Sequence, residues 1–421
     1  MPRPSTSRSS VALDNLRAVV ILIVLAFHSV LAYVEWIPSR SSGFSDPPYG
    51  WRAFPIIDAH RWFGFDLFCA WQDVYLMSLM FFLSGLFVWP SVQRKQSFRY
   101  ARDRLARLGI PFAFGLLVLV PMALYPAYLA STANPSLSDY AHRYLALPFV
   151  PNGQLWFLWQ LLGLNLVAAA IYFIAPNVLR ALGRWSGAAG QRPVYYFAVL
   201  VVVSAVAYVP LALFFTPWAW SNSGVLSVQW CRPLLYAVYF FAGIGVGTAG
   251  LDVGLIAAEG ALARRWKLWL GVALMSLFGW MGVTSQTLDG PAPVVIDVAA
   301  DFMFVVACAG GCFFLIASSL RFGLHRSSLG ASLSANAYSL YLVHYSFVVW
   351  LQYTLLTSSL FAPFKGAIVF GVALTASWFT VLAVQRVPLG SLLLAAPPRV
   401  PNREAPSSGG AYARIQQIDS Q

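Results

Sequence analysis

Charge is what this sequence has least of. Asp, Glu, Lys and Arg together make up 10% of its 421 residues, where a soluble globular chain carries about 25%. Acid is the scarcer sign, with 15 Asp and Glu against 27 Lys and Arg. So few charges cannot cover the surface of a soluble protein this apolar, and that class is excluded. Cysteine is sparse as well. Cys69, Cys231, Cys308 and Cys312 do not fall at zinc-ligand spacing, and Cys308 and Cys312, four apart in an apolar run, read as packing residues. No metal is expected. The sequence has no Walker loop, zinc motif or Ser-His-Asp arrangement, and no repeat or heptad run. No A-x-A-like site follows the first apolar stretch, so it is expected to stay as a helix and not to be removed as a signal peptide.

What is abundant is hydrocarbon. Hydrophobic residues are 59% of the chain and aromatic residues 16%, the profile of a protein that crosses a bilayer many times. Stretches of roughly 20 apolar residues, enough to span a membrane as helix, lie at 11–34, 72–91, 108–130, 154–175, 194–217, 231–250, 267–286, 296–319, 334–356 and 366–387. The net charge of +12 sits in the short loops between them, which points to topology and not to a nucleic-acid partner. With the N-terminus inside, only Arg40, Arg52, Arg61, Arg143, Arg232 and Lys365 of the 27 cations fall outside. The expected fold is an all-α integral membrane protein of about ten transmembrane helices with both termini cytoplasmic. It divides into a cytoplasmic segment 1–10, a membrane domain 11–390 and a polar, disordered cytoplasmic tail 391–421. In the first outer loop, "IPSRSSGFSDPPYGW" reads as irregular. The aromatic "AHRWFGFDLFCAW" after it suits either the membrane interface or a surface that stacks on sugars.

Ionisable groups inside such spans are the candidates for chemistry. The first span, "VALDNLRAVVILIVLAFHSVLAY", carries Asp14, Arg17 and His28. Arg17 and His28 are eleven residues apart; at ~100° and ~1.5 Å per residue they share a face and stand roughly 16 Å apart in depth. An imidazole is the side chain best suited to move protons near neutral pH, although a histidine can also simply hydrogen-bond between helices. In "SFRYARDRLARLGIPF", Arg104 and Arg107 repeat the three-residue spacing of Arg99 and Arg102. Such pairs bind phosphate through forked contacts; positive-inside topology explains them equally. Trp156, Phe157 and Trp159 of "NGQLWFLWQLL" fit an aromatic belt or a substrate contact. In "SANAYSLYLVHYSF", Asn336, Tyr338, Tyr341 and His344 form either interhelical contacts or one wall of a cavity. Asp297 and Asp301, four apart, share a face of the eighth span, where they can flank a site, relay protons or pair with an arginine. Trp156, Tyr341, His344 and Asp301 are the candidates for lining a substrate site. A proton-relaying transporter would use similar residues, but no second half repeats the first as transporter folds often do.

These segments resemble the membrane acyltransferase family 3. "LDNLRAVVILIVLAFH" is similar to that family's opening motif, an Arg followed by a His, here Arg17 and His28. "RLARLGIPF" resembles its R-x-x-R motif before the third helix, matched by Arg104 and Arg107, and "QLWFLWQLL" and "AYSLYLVHYSF" look like its W-F-L and Y-L-x-H stretches. "MSLMFFLSGLFV", "ARLGIPF" and "QLWFLWQLL" lie nearest the branch called glucan biosynthesis protein C. Asn15 stands where many members have Gly, and no stretch resembles the soluble hydrolase-like domain some members carry after the helices. The resemblance implies transfer of an acyl group, acetyl or succinyl, from cytoplasmic acyl-CoA to a hydroxyl of an extracytoplasmic glycan, or of a lipid or small secreted metabolite. The setting it implies is a bacterial inner membrane. By the same resemblance His28 acts as general base, Arg17 holds the donor or orients the site, and Arg104 and Arg107 bind the coenzyme A phosphates. His344 matches a family histidine whose role is left open.

Overall fold

The computed structural model describes residues 7–37, 43–221, 227–288, 290 and 292–394. Outside them lie Arg3, Arg40, Arg399, Arg403 and Arg414 of the charge distribution and residues 395–421 of the expected tail. Among the described residues the fold is all α, with a lone bridge between Trp220 and Gln229.

Each predicted span coincides with a helix: α1 Arg8–Val30, α2 Phe63–Gly85, α3 Ser97–Ser131, α4 Trp156–Ile174, α5 Pro193–Phe215, α6 Pro233–Ala249, α7 Trp266–Thr284, α8 Val294–Phe322, α9 Ser328–Thr354 and α10 Ala362–Val384. Eight are long and apolar enough to cross a membrane. The others are α6, short at 17 residues, and α9, 27 residues long but interrupted by Asn336, His344 and Gln352. The glycines that end α6 have a packing reason. A Cβ on Gly243 would sit 2.1 Å from the Phe82 carbonyl oxygen, and one on Gly247 2.0 Å from that of Leu86. Only hydrogen there lets α6 lie backbone to backbone against α2.

The third span is the irregular one. It contains π-type turns at Leu105–Gly109 and Gly115–Leu119 and prolines at 111, 121 and 126. Pro126 has no N–H to offer Met122, and the Trp350 indole on α9 donates to that carbonyl instead, at 3.0 Å.

Helix α1 packs against α9, α8, α10 and α2, so its residues sit inside the bundle. Two ion pairs tie neighbouring elements together. Lys365 Nζ meets Asp58 Oδ2 at 2.7 Å with both side chains fully buried, and Arg232 meets Asp73 through two oxygens at 3.0 and 2.5 Å. The described residues of the loop before α2 are largely irregular, as expected, and are held in place by backbone hydrogen bonds and ring stacking. The Asp58 amide donates to Ala32 O and the Trp62 amide to Tyr33 O, both at 2.9 Å. Trp51 stacks on Phe44, ring centroids 4.6 Å apart, and both are buried against Tyr128, Tyr140 and Phe149. Desolvation lowers Arg52 to about 10 within this packed loop. Cys308 and Cys312 are buried free thiols, in keeping with the packing reading.

Candidate active site

The site is built where α1 and α9 run side by side. They are parallel: Asn15 reaches His325 O ahead of α9, His28 meets His344 further along, and Gln352 reaches Ser29 O at the other end. This brings together two histidines 316 residues apart in sequence, with ring centroids 5.1 Å apart and His344 Nε2 3.2 Å from His28 Nδ1.

The hydrogen-bond pattern assigns their protons. His344 Nδ1 lies 2.8 Å from Tyr341 O and 3.2 Å from Leu340 O, and His28 Nδ1 lies 2.9 Å from Val24 O. A carbonyl oxygen only accepts, so each Nδ1 carries a hydrogen. The bare His344 Nε2 therefore accepts from His28 Nδ1–H, which leaves His28 Nε2 with a free lone pair. The two rings also differ in access: His344 is fully buried, whereas His28 is only partly so. Around His28 stand the rings of Phe27 and Tyr345, at 5.4 and 5.2 Å. Gln352 donates to the carbonyls of His28 and Ser29 at 2.8 and 3.2 Å, satisfying groups left over where α1 tightens into its last turn.

Next to this pair is a cavity of about 170 Å³ between α1, α2, α4 and α9. Tyr341 lines it and stands one turn from His344, ring centroids 5.9 Å apart. Its hydroxyl donates to the Gln154 backbone carbonyl, and its ring packs edge-on against Phe157. Arg17 lines the same cavity, held 3.3 Å from Asp14 Oδ1 and 4.1 Å over the ring of Phe87. The face shared by Arg17 and His28 thus runs from the cavity to the histidine pair.

The other sequence candidates lie elsewhere. Arg104 and Arg107 are on α3 and do not line the cavity. Arg104 lies 4.9 Å over Tyr100 with its Nε unpaired, while the mostly exposed Arg107 pairs with Asp103 at 3.2 Å. The π-type turn Leu105–Gly109 lies between them, so their spacing is not that of a regular α-helix. Trp156 stacks on Tyr236 at 5.7 Å and adjoins Phe157, one residue back from the cavity wall. Asp301 is buried on α8, apart from the cavity, and makes no ion pair among the described residues. Sequence reasoning missed Gln352, Gln154 and Tyr345. The first two carry a signal that could have found them, an amide side chain in or beside an apolar span.

Apolar helices long enough to span a bilayer, packed around a histidine pair with a cavity close by, make this a multi-spanning membrane protein. The sequence profile of the acyltransferase 3 family, described as an acyltransferase domain, matches residues 10–382, and the chain belongs to that family. It is a multi-pass membrane acyltransferase. No curated protein and no solved structure matches it.

Proposed function

We propose that this acyltransferase moves an acyl group from cytoplasmic acyl-CoA to a hydroxyl of an extracytoplasmic glycan, with His28 as general base. The observation that carries the reading is the bare Nε2 of a partly accessible His28 whose other nitrogen is engaged by Val24 O and His344. As the acceptor oxygen attacks the thioester carbonyl, His28 Nε2 takes its proton. The C–S bond then breaks, the ester C–O bond is complete, and the proton passes to the departing coenzyme A thiolate. During attack the imidazolium is stabilised by His344 Nε2, which accepts from Nδ1–H. Arg17, at the cavity, attracts the anionic donor, and Arg104 and Arg107 offer guanidinium groups to its phosphates.

The distribution of Lys and Arg supports a cytoplasmic location for both termini, which puts Arg17 at the inner end of α1 and His28 towards the outer one. The likeness to the glucan biosynthesis protein C branch favours a glucan acceptor and a bacterial inner membrane. The test is transfer of label from acetyl-CoA into extracted glycan by membranes containing the full chain. His28→Ala should lower the rate by about 10²–10⁴-fold with unchanged amounts of folded protein. Full activity in that variant would sink the mechanism.

A further inference from the structure

Two tryptophans are held half in the open past the end of α1 where His28 lies. Trp36 follows α1, and Trp218 belongs to the connection between α5 and α6. Their rings meet at 6.0 Å with a tilt of 40°, and they are 51% and 47% exposed. Both stand on irregular backbone, which does not face lipid within the hydrocarbon layer. The backbone under Trp36 is pinned. In the first turn of α2, Asp66 Oδ2 accepts from the Glu35 amide and Oδ1 from the Trp36 amide, each at 2.8 Å. Acid is thus the charge next to the Trp36 ring. Glu35 is exposed, and among the described residues its carboxylate has no hydrogen-bond or ion-pair partner. The described cations of the same loop are turned elsewhere. Arg61 Nε donates to Asp58 O at 3.0 Å, and Arg52 donates to Ser221 O and lies 4.3 Å over the ring of Phe149.

We infer that Trp36 and Trp218 are a binding platform for the acceptor, on which an uncharged sugar of the glycan stacks while Glu35 accepts from its hydroxyls. The inference rests on the glycan acylation proposed above. The C–H face of a sugar ring is apolar and packs on an indole, and its hydroxyls are donors that match a carboxylate. A sugar acid would meet Glu35 and Asp66 as a like charge, and so would an anionic lipid headgroup, which attracts Lys and Arg instead. Trp36 is eight residues past His28, on the order of 10 Å along the helix direction. A glycan chain lying on the platform therefore has a neighbouring sugar within reach of the base.

The experiment measures transfer of label from acetyl-CoA to neutral glucan oligosaccharides by the full chain in lipid nanodiscs. Trp36→Leu and Trp218→Leu should each raise the KM for the oligosaccharide about 10-fold, with the KM for acetyl-CoA within about twofold. Trp36→Phe, which keeps a ring, should recover most of the loss. Glu35→Gln changes an exposed side chain that holds nothing in place, so it tests the platform even where a loop variant fails to fold; it should raise the oligosaccharide KM about fivefold. An oligosaccharide KM unchanged in Glu35→Gln overturns the inference. So does a rise of both KM values together in the Leu variants, which would mark a loop needed for folding. Leu serving as well as Phe at position 36 overturns it too, as the mark of an apolar anchor in lipid. All three results leave glycan acylation standing. Absence of transfer to any oligosaccharide by the parent chain overturns both readings.

Discussion

Replacing His344 separates a supporting histidine from a structural one. His344 does not line the cavity and is fully buried, so its contribution to the reaction runs through the 3.2 Å contact to His28 Nδ1. In the resting state that contact is one of two acceptors for the Nδ1 hydrogen, the other being Val24 O at 2.9 Å. His344→Leu therefore leaves His28 in the same tautomer. What it removes is an acceptor for the N–H of an imidazolium, present only once His28 has taken the acceptor's proton. Hydrogen bonds to charged groups contribute about 1.5–3 kcal/mol, and each 1.36 kcal/mol is tenfold in rate. His344→Leu should thus lower kcat roughly 10–150-fold while the KM for acetyl-CoA stays within about twofold, because the loss falls on the transition state. His344→Gln can restore an acceptor and should recover part of the rate. The assay is steady-state release of coenzyme A thiol by purified protein in lipid nanodiscs, with extracted glycan as acceptor. A raised KM at unchanged kcat would refute the reasoning, since it would make His344 a binding residue. Equal loss in the Leu and Gln variants would refute it too, assigning His344 to packing alone.

Two further perturbations follow from the charges. Asp58→Asn or Lys365→Met leaves one fully buried ion without its partner and should destabilise the protein by about 3–5 kcal/mol, whereas Asp58→Leu with Lys365→Met should lie much nearer the parent. Thermal unfolding of the detergent-solubilised chain, read by size-exclusion recovery, checks this, and a double variant as unstable as the singles would count against a pairing role. Arg104→Ala with Arg107→Ala should raise the KM for acetyl-CoA without changing the KM for glycan; equal change in both would assign these arginines to folding instead.

The span pattern was legible because hydrocarbon dictates it. A membrane helix must satisfy its own backbone and present some 20 apolar residues, so every helix from α1 to α10 left a run in the sequence, including the short α6 with its terminal glycines. The Arg17–His28 face was legible for a similar reason, since both residues ride on one regular helix. For Arg104 and Arg107 spacing alone does not give the geometry, because the π-type stretch Leu105–Gly109 lies between them. The loop before α2 was read by composition, which sees Pro, Ser and Gly but not the stacking of Trp51 on Phe44 or the Asp58–Lys365 pair that spans 307 residues.

The histidine pair marks the boundary between what one helix can reveal and what requires two. His28 alone is ambiguous, because Val24 O fixes its tautomer whether it is a base or a structural link. His344 alone is equally so, because its Nδ1 is spent on its own helix. Only when α1 and α9 lie parallel does the chain of donors acquire a direction. It runs from His28 Nδ1–H to His344 Nε2, while His344 Nδ1–H is anchored on backbone carbonyls. With that direction set, the single unclaimed ring nitrogen of the pair is His28 Nε2, on the ring that remains partly accessible. A link made only for packing has no need to leave its one free lone pair on the less buried partner, and it is this placement that favours chemistry over structure as the reason for a histidine in the last turn of α1.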